Sequence, residues 1–568
     1  MSLFGSIQLA SNAMQAQQIG LQVVGQNIAN ANTPGYSREE LQLTPSATAT
    51  DGGVLTGMGV QIQGVVQDVN EFLNGQLWSA NADAANGQTQ QTTYQQLEGT
   101  LNALGTNSIG SQLDNFMSSI NNVLDTPDDE SMQNLAVLQG QSLAQGINTL
   151  STSVDTMRSD LDQSVQGDVA NANQLITQIA TLNSQIAQIQ GGSSTNSQAV
   201  GLLDQRNEAI NQLSQLINIK TEFQPTGYVN IYSGGNYLVF QGQSNQLTTQ
   251  TVDNRGVTVS NVVIAGTNAP IEAQSGEIAG LITSRDSILG GFEDQLNQFA
   301  GTLASEFNKI YSSGQGTSGY QAITSTAGVG DSTAPLENAG LAFTPTSGSF
   351  DLLVSNNQTG ETQTTNIPIV LNGLGSGDTT LDSLAASINQ VQGLQASITP
   401  GGNLTISSTS PNLTFAFSND TSGTLAALGL NTFFTGSTAS DLSVNSALVA
   451  DPTKFAASTG GVGNDTNNAV TMAGFLNQPL DSLDGGTITD LNNQMTAGVT
   501  EGSAQSTATN NGYQAYQQTL VGEQSSISGV NIDQETVSML QYQRAYQASA
   551  QFISTINQLL NTLVQVLQ

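Results

Sequence analysis

Both ends of this 568-residue chain carry apolar residues at heptad spacing on segments that hold almost no charge. Leu3, Ile7, Ala10, Met14, Gln17, Leu21, Val24 and Ile28 alternate steps of four and three, with Gln17 the one polar member. Met539, Tyr542, Tyr546, Ser549, Ile553, Ile556, Leu560, Leu563 and Leu567 repeat the pattern at the far end, with Ser549 the exception. Such steps line up a stripe along one helix face, and sustained over several heptads they predict two coiled-coil-like helices. A coiled coil facing water normally flanks its seam with Glu and Lys, yet residues 1–37 and 545–568 contain no charged side chain. Gln, Asn and Ser on those flanks can meet neighbouring helices through hydrogen bonds without desolvating an ion. The two ends are therefore predicted to pack together, to be marginal as an isolated pair, and to order fully when further copies bury their remaining faces.

Composition removes most other functions. Nine basic residues against 43 acidic ones give a formal charge of −34, which repels nucleic acid and anionic lipid alike, so neither is expected as a partner. With no His and no Cys, the usual acid-base residue, most nucleophile-base pairs and zinc ligand sets are missing; no catalytic residue, metal site or cofactor is predicted. Lys220, Lys309 and Lys454 lie outside any phosphate-binding loop, and Gly57-Met58-Gly59 lacks the third glycine of a dinucleotide fingerprint. The first basic residue is Arg38 and the early apolar residues are spaced rather than contiguous, so no cleavable signal peptide is read. No apolar run reaches the roughly 20 residues of a membrane-spanning helix.

Inside the ends, residues 70–219 keep helical spacing, most clearly from Val154 through Val165, Ile176 and Ile186, which predicts one helix longer than 30 residues. Short alternating runs at 221–272, such as Val229, Ile231 and Tyr237, Val239 about Gly234-Gly235, read as β-hairpins. Helix is expected again from Ile278 to Tyr311. A second β-rich stretch follows, with Phe350, Leu352, Val354, then Ile367, Ile369, then Leu404, Ile406, then Leu413, Phe415, Phe417; a short helix from Leu381 interrupts it behind the capping candidates Thr379 and Thr380. The densest acidic group, Asp125, Asp128, Asp129 and Glu130 beside Pro127, reads as a helix start rather than a calcium or glycosidase site. Asn464-Asp465-Thr466-Asn467-Asn468 reads as a loop.

Beyond Asn27-Ile28-Ala29, the run Asn30-Ala31-Asn32-Thr33-Pro34-Gly35-Tyr36-Ser37-Arg38 must end the first helix, because Pro34 disfavours helix at Thr33 and Pro-Gly sets a tight turn. This segment closely resembles the N-terminal signature of the flagellar axial protein family of rod, hook and hook-associated proteins, and Asn27, Asn30, Asn32, Thr33, Pro34, Gly35 and Tyr36 carry it. Ser528-Gly529-Val530-Asn531-Ile532-Asp533, continuing through Leu540-Gln541-Tyr542-Gln543-Arg544-Ala545-Tyr546, is similar to the matching C-terminal signature. Gly53 to Ile62 followed by Glu71-Phe72-Leu73, and Gly276 to Ile282 followed by Arg285-Asp286, resemble the hook-associated branch.

That resemblance implies a non-enzymatic, extracellular subunit at the hook-filament junction, working as a homo-oligomer in a ring or helical array. Implied partners are the flagellar hook protein, a second junction protein on the filament side, and an export chaperone on the C-terminal helix, with passage through the flagellar type III apparatus. A hook or distal-rod subunit, or a secreted coiled-coil adhesin, is the alternative. The expected fold is multidomain α+β in three parts: 1–34 with 535–568 as a terminal helical assembly domain; 35–325 with 455–534 as a helical rod-like domain bearing β-hairpins at about 50–68 and 221–272; and 326–454 as an inserted β-rich outer domain, most simply a solvated spacer.

Overall fold

The computed structural model describes residues 3–51, 54–57, 59–103, 105, 108–190, 199–271, 274–375, 377–460 and 465–566. Leu567, Gly53, Met58 and Asn464 fall outside them. In chain order the helices are α1 (Leu3–Asn30), α2 (Glu71–Ala103), α3 (Ile109–Asp125), α4 (Glu130–Gln190), α5 (Val200–Leu216), α6 (Glu277–Thr283), α7 (Gly290–Ser312), α8 (Leu381–Ile388), α9 (Thr424–Leu428), α10 (Ser446–Ala450), α11 (Asn467–Ala473), α12 (Ile488–Ser528) and α13 (Ile532–Val566). With several small antiparallel sheets between them, the chain is multidomain α+β.

Two compact units organise the chain. The terminal helices share a unit with residues up to 93, with 159–286 and with 504 onwards; residues 94–158 and 287–503 form the other.

In the first unit, Val165, Val169, Ala172, Ile176 and Ile179 of the 61-residue α4 form one buried stripe. It meets Trp78, Ile210 and Leu213, together with Val229, Ile231, Leu238 and Val239 of a four-stranded antiparallel sheet. Buried Asn183 pins that sheet to α4. Its amide donates to the carbonyls of Val229 and Gln241, and its Oδ1 accepts from the Val229 N–H and the guanidinium of Arg206. Nearer the N-terminus, Glu39–Pro45 pairs antiparallel with Val60–Gln67. The β-structure expected at about 50–68 thus begins at 39, directly after the signature.

The second unit has two cores. One is aromatic: Phe116, Phe307, Phe433 and Phe434 lie with ring centroids 4.8 to 5.7 Å apart, extended by Tyr311, Phe455 and Phe475. The other runs from Tyr320 to Leu430 and fills a β-rich module. There Gly348–Asn356 is the central strand between Thr362–Ile369 and Leu413–Ser418, and a second sheet is ordered Ala322–Thr324, Leu404–Ser408, Leu394–Ile398. Strands Ala322–Thr324 and Leu394–Ile398 extend the simpler β-β-α-β-β order read from sequence, since three residues and a run with Ala396 at its centre give little alternation. α8 carries a reciprocal capping box between Thr380 and Ser383. Asp129 accepts from the Ser131 N–H at 2.8 Å at the start of α4, the role expected of that acidic group.

Candidate assembly site at the paired chain ends

α1 and α13 pack together within the first unit, and two contacts fix their direction. Asn27 Nδ2 donates to Glu535 Oε2 at 3.1 Å, and a Cβ added at Gly20 would sit 2.7 Å from the Tyr542 ring. Moving back one heptad on α1 moves forward one heptad on α13, so the helices run antiparallel. Gly20 lets the Tyr542 ring lie directly against the α1 backbone, and burial raises the Tyr542 phenol above its ordinary value.

The stripes are not buried evenly. On α1, Ala10 and Val24 are buried, while Leu3, Ile7, Met14, Leu21 and Ile28 are half-buried. The more deeply buried stripe lies on the adjacent face: Ala16, Gly20, Val23 and Asn27. Val23 there packs with Leu41, Val65 and Val200, so α1 divides its apolar surface between α13 and the hairpin beside it. On α13, Ile556 is buried, Met539, Tyr542, Tyr546, Ile553 and Leu560 are half-buried, and Leu563 is 49% exposed. Flanking the stripe, α13 leaves Phe552 at 46%, Leu559 at 54% and Val566 at 80% exposed.

A polar clasp closes the signature end of the pair. The chain leaves α1 through a turn in which Tyr36 N–H bonds the Thr33 carbonyl at 3.2 Å, with Gly35 at φ 75°, the left-handed position that a Pro-Gly turn requires. Asn30 braces the turn, accepting from the Thr33 hydroxyl at 3.2 Å, while Asn32, Thr33 and Pro34 stay exposed. Returning, the Tyr36 hydroxyl donates to Asn27 Oδ1 at 2.8 Å, which also accepts from the Glu39 N–H at 3.0 Å. Asn27 Nδ2 further donates to the Glu39 carbonyl at 2.9 Å, so this side chain, 1% exposed, has four bonds and no unmet capacity. Arg38 Nε reaches Glu535 Oε1 at 2.8 Å, and that charge-assisted bond holds the guanidinium above its usual range. Ser37 N–H and Gln67 Nε2 both donate to Asp204 Oδ1. Burial nonetheless pushes Asp204 up to about 6 and raises Glu39.

Gly20, Glu535 and Asp204 were absent from the sequence-derived set. One signal pointed to Glu535: carrying the C-terminal stripe one step back from Met539 lands on it, and an ionisable group on an apolar seam marks a bonded position. Nothing in the sequence alone joined Asp204 to the signature.

The chain matches three known families. Residues 94–324 match the flagellar hook-associated protein FlgK helical domain, 7–36 the flagella basal body rod protein family, and 524–566 the C-terminal family of the flagellar basal body rod FlgEFG proteins. Flagellar hook-associated protein 1 of Salmonella typhimurium is 26% identical, over 98% of this chain and 99% of its own. That of Bacillus subtilis is 28% identical, over 56% of this chain and 69% of its own. The chain belongs to the flagellar hook-associated protein 1 family. A solved structure, the flagellar hook junction protein FlgK from Burkholderia pseudomallei, aligns with 80% of this chain and all of its own at 17% identity and a TM-score of 0.48, too distant to carry an argument. For this member of the hook-associated protein 1 family, the two rod-type matches fall on the two helices that meet here. Asn27 lies in one matched segment and Glu535 in the other, so the clasp joins the two halves of the signature.

Proposed function

We propose that this chain is a structural subunit forming the junction between flagellar hook and filament, and that it assembles through α1 and α13. The supporting observation is the exposed apolar surface on the last turns of α13. Phe552, Leu559, Leu563 and Val566 stand exposed on a helix with no charge after Arg544, a surface suited to helices of other copies. Covering what remains exposed of those four side chains contributes about 1–2 kcal/mol each, so assembly stabilises the segment. Residues 1–34 with 535–568 act as the assembly domain, arrayed in a ring or helix. The hook protein lies on one side and a second junction protein on the filament side, and the acidic interior faces solvent.

The same exposed face requires cover before assembly, which is the work of an export chaperone on α13. The subunit travels through the flagellar type III apparatus. Its role is mechanical rather than enzymatic, in keeping with a sequence that offers no His or Cys.

Removal of residues 540–568 tests the reading. Circular dichroism should show the interior still folded, and the truncated chain should no longer add to isolated hooks; capping at the full-length level overturns the proposal. Long tubes formed by the intact chain alone would instead reassign it as a hook-type subunit.

A further inference from the structure

A cleft of about 820 Å³ opens beside the clasp, and its charge is unbalanced. Gln22, Gln26 and Gln205 line it with the carboxylates of Glu39, Asp204 and Glu208, and no Lys or Arg is among the lining residues. Glu39 is the telling group. It is 9% exposed, and its backbone is bonded to Asn27, but among the described residues its carboxylate has no hydrogen bond or ion pair. A carboxylate that no side chain of its own fold neutralises is left open on the cleft side to an incoming cation. Asp204, elevated by burial and by the neighbouring Glu39 charge, reports the same deficit of positive charge.

The chain has nine basic side chains, and most are committed. Arg38, Arg158, Arg285, Lys309 and Lys454 hold carboxylates within the chain. Arg206 is buried against Asn183 and Gly227, and Arg255 bonds Asn254 and the Asp286 carbonyl. Lys220 and Arg544 remain, both exposed. Arg544 stands two residues beyond Tyr542, about 200° around α13 from the side packed on α1, so it is turned away from its own chain's N-terminal helix. It shares that side with exposed Val537, Leu540 and Leu559.

We infer that Arg544 of one copy enters the Glu39–Asp204–Glu208 cleft of a second copy, giving the assembly its one charged, register-setting contact. This rests on the self-assembly proposed above. A planar guanidinium presents several donors at once and suits a site with three carboxylates. In an interface otherwise built from apolar and amide groups, a single ion pair of this kind selects one alignment among many near-equal ones.

The natural absence of cysteine gives a clean test. Arg544→Cys chains mixed with Glu208→Cys chains, added to isolated hooks and treated with a short bismaleimide, should yield covalent dimers; neither chain alone should. In parallel, Arg544→Glu should reduce hook capping at least tenfold and Glu208→Arg should do the same, while an equal mixture or the double variant restores it to within a few-fold of the parent. Normal capping by the parent chain, with no cross-link and no restoration, overturns this inference alone. Failure of the parent chain to add to hooks counts against the junction reading instead. Restoration by pairing Glu208→Arg with Lys220→Glu rather than Arg544→Glu would name Lys220 as the occupant and overturn the assignment of Arg544.

Discussion

At the scale of single residues, the clasp shows how uncharged and charged groups share one buried site. Asn27 meets both a carbonyl and a carboxylate with its amide, and both a hydroxyl and a backbone N–H with its oxygen, which no charged or apolar side chain of that size can do. Asp204 sits less comfortably. Burial penalises its ionised form first and Glu39 adds repulsion; the Ser37 N–H and Gln67 offset only part of this, leaving it at about 6 against an ordinary 3.8. The sign of the linkage follows. A carboxyl whose folded value is raised contributes stability that is whole below about pH 3.8 and is lost as pH rises through about 6. The isolated chain should therefore show a urea midpoint for its first unit that rises as pH falls from 7.5 to 5. In Asp204→Asn, which keeps an acceptor oxygen for both donors, that rise should be smaller. Equal pH dependence in the two proteins would mean that the ionised Asp204 is not penalised in the fold.

At the scale of elements, the instructive case is α1. Heptad steps were enough to read a helix from Leu3 to Ile28, its stop before Pro34, and a partner at the other terminus. They did not reveal which stripe is most deeply buried. Val23 and Val24 are adjacent and belong to different stripes, and α1 has to satisfy both α13 and the hairpin carrying Leu41 and Val65. The closest approach also falls where hydrophobicity is silent, since Ala16 and Gly20 have little side chain to register in any apolar pattern. Asp204 was beyond reach for another reason: it lies on a helix far along the chain, and only the tertiary fold brings it to Ser37. Two glycines of α1 separate packing from propensity. Gly20 faces Tyr542, whereas Gly25 has no atom within 4 Å of an added Cβ. Gly25→Ala should stabilise the first unit by about 0.5–1 kcal/mol through helix propensity alone. Gly20→Ala should instead cost about 1–3 kcal/mol by forcing the ring away, a loss reduced when Tyr542 is shortened to Leu. Thermal unfolding followed at the helix band distinguishes the two, and a matching gain at both sites would remove the close-approach role of Gly20.

At the scale of the whole molecule, the question is what the long interior owes to the ends. The β-rich module has its own apolar core between Tyr320 and Leu430, including Phe350, Phe415 and Phe417, all close to fully buried. The chain enters and leaves it at one place. Asn431 Nδ2 donates to the carbonyls of Ser312 and Gly314 at 3.1 and 2.9 Å, and its Oδ1 accepts from the Tyr320 hydroxyl at 2.9 Å, tying exit to entry. A module with a private core and adjacent connections can be lost at the cost of closing a short loop, and that cost grows only slowly with length. Excising residues 321–429 behind a short Gly-Ser linker should therefore leave the aromatic core of Phe116, Phe307 and Phe433 intact and preserve addition to hooks, because that addition depends on α1 and α13. Analytical ultracentrifugation and hook capping by the excised chain provide the measurement. A folded, monodisperse product that no longer caps would show that the module supplies an assembly contact, and its role as a spacer would have to be abandoned.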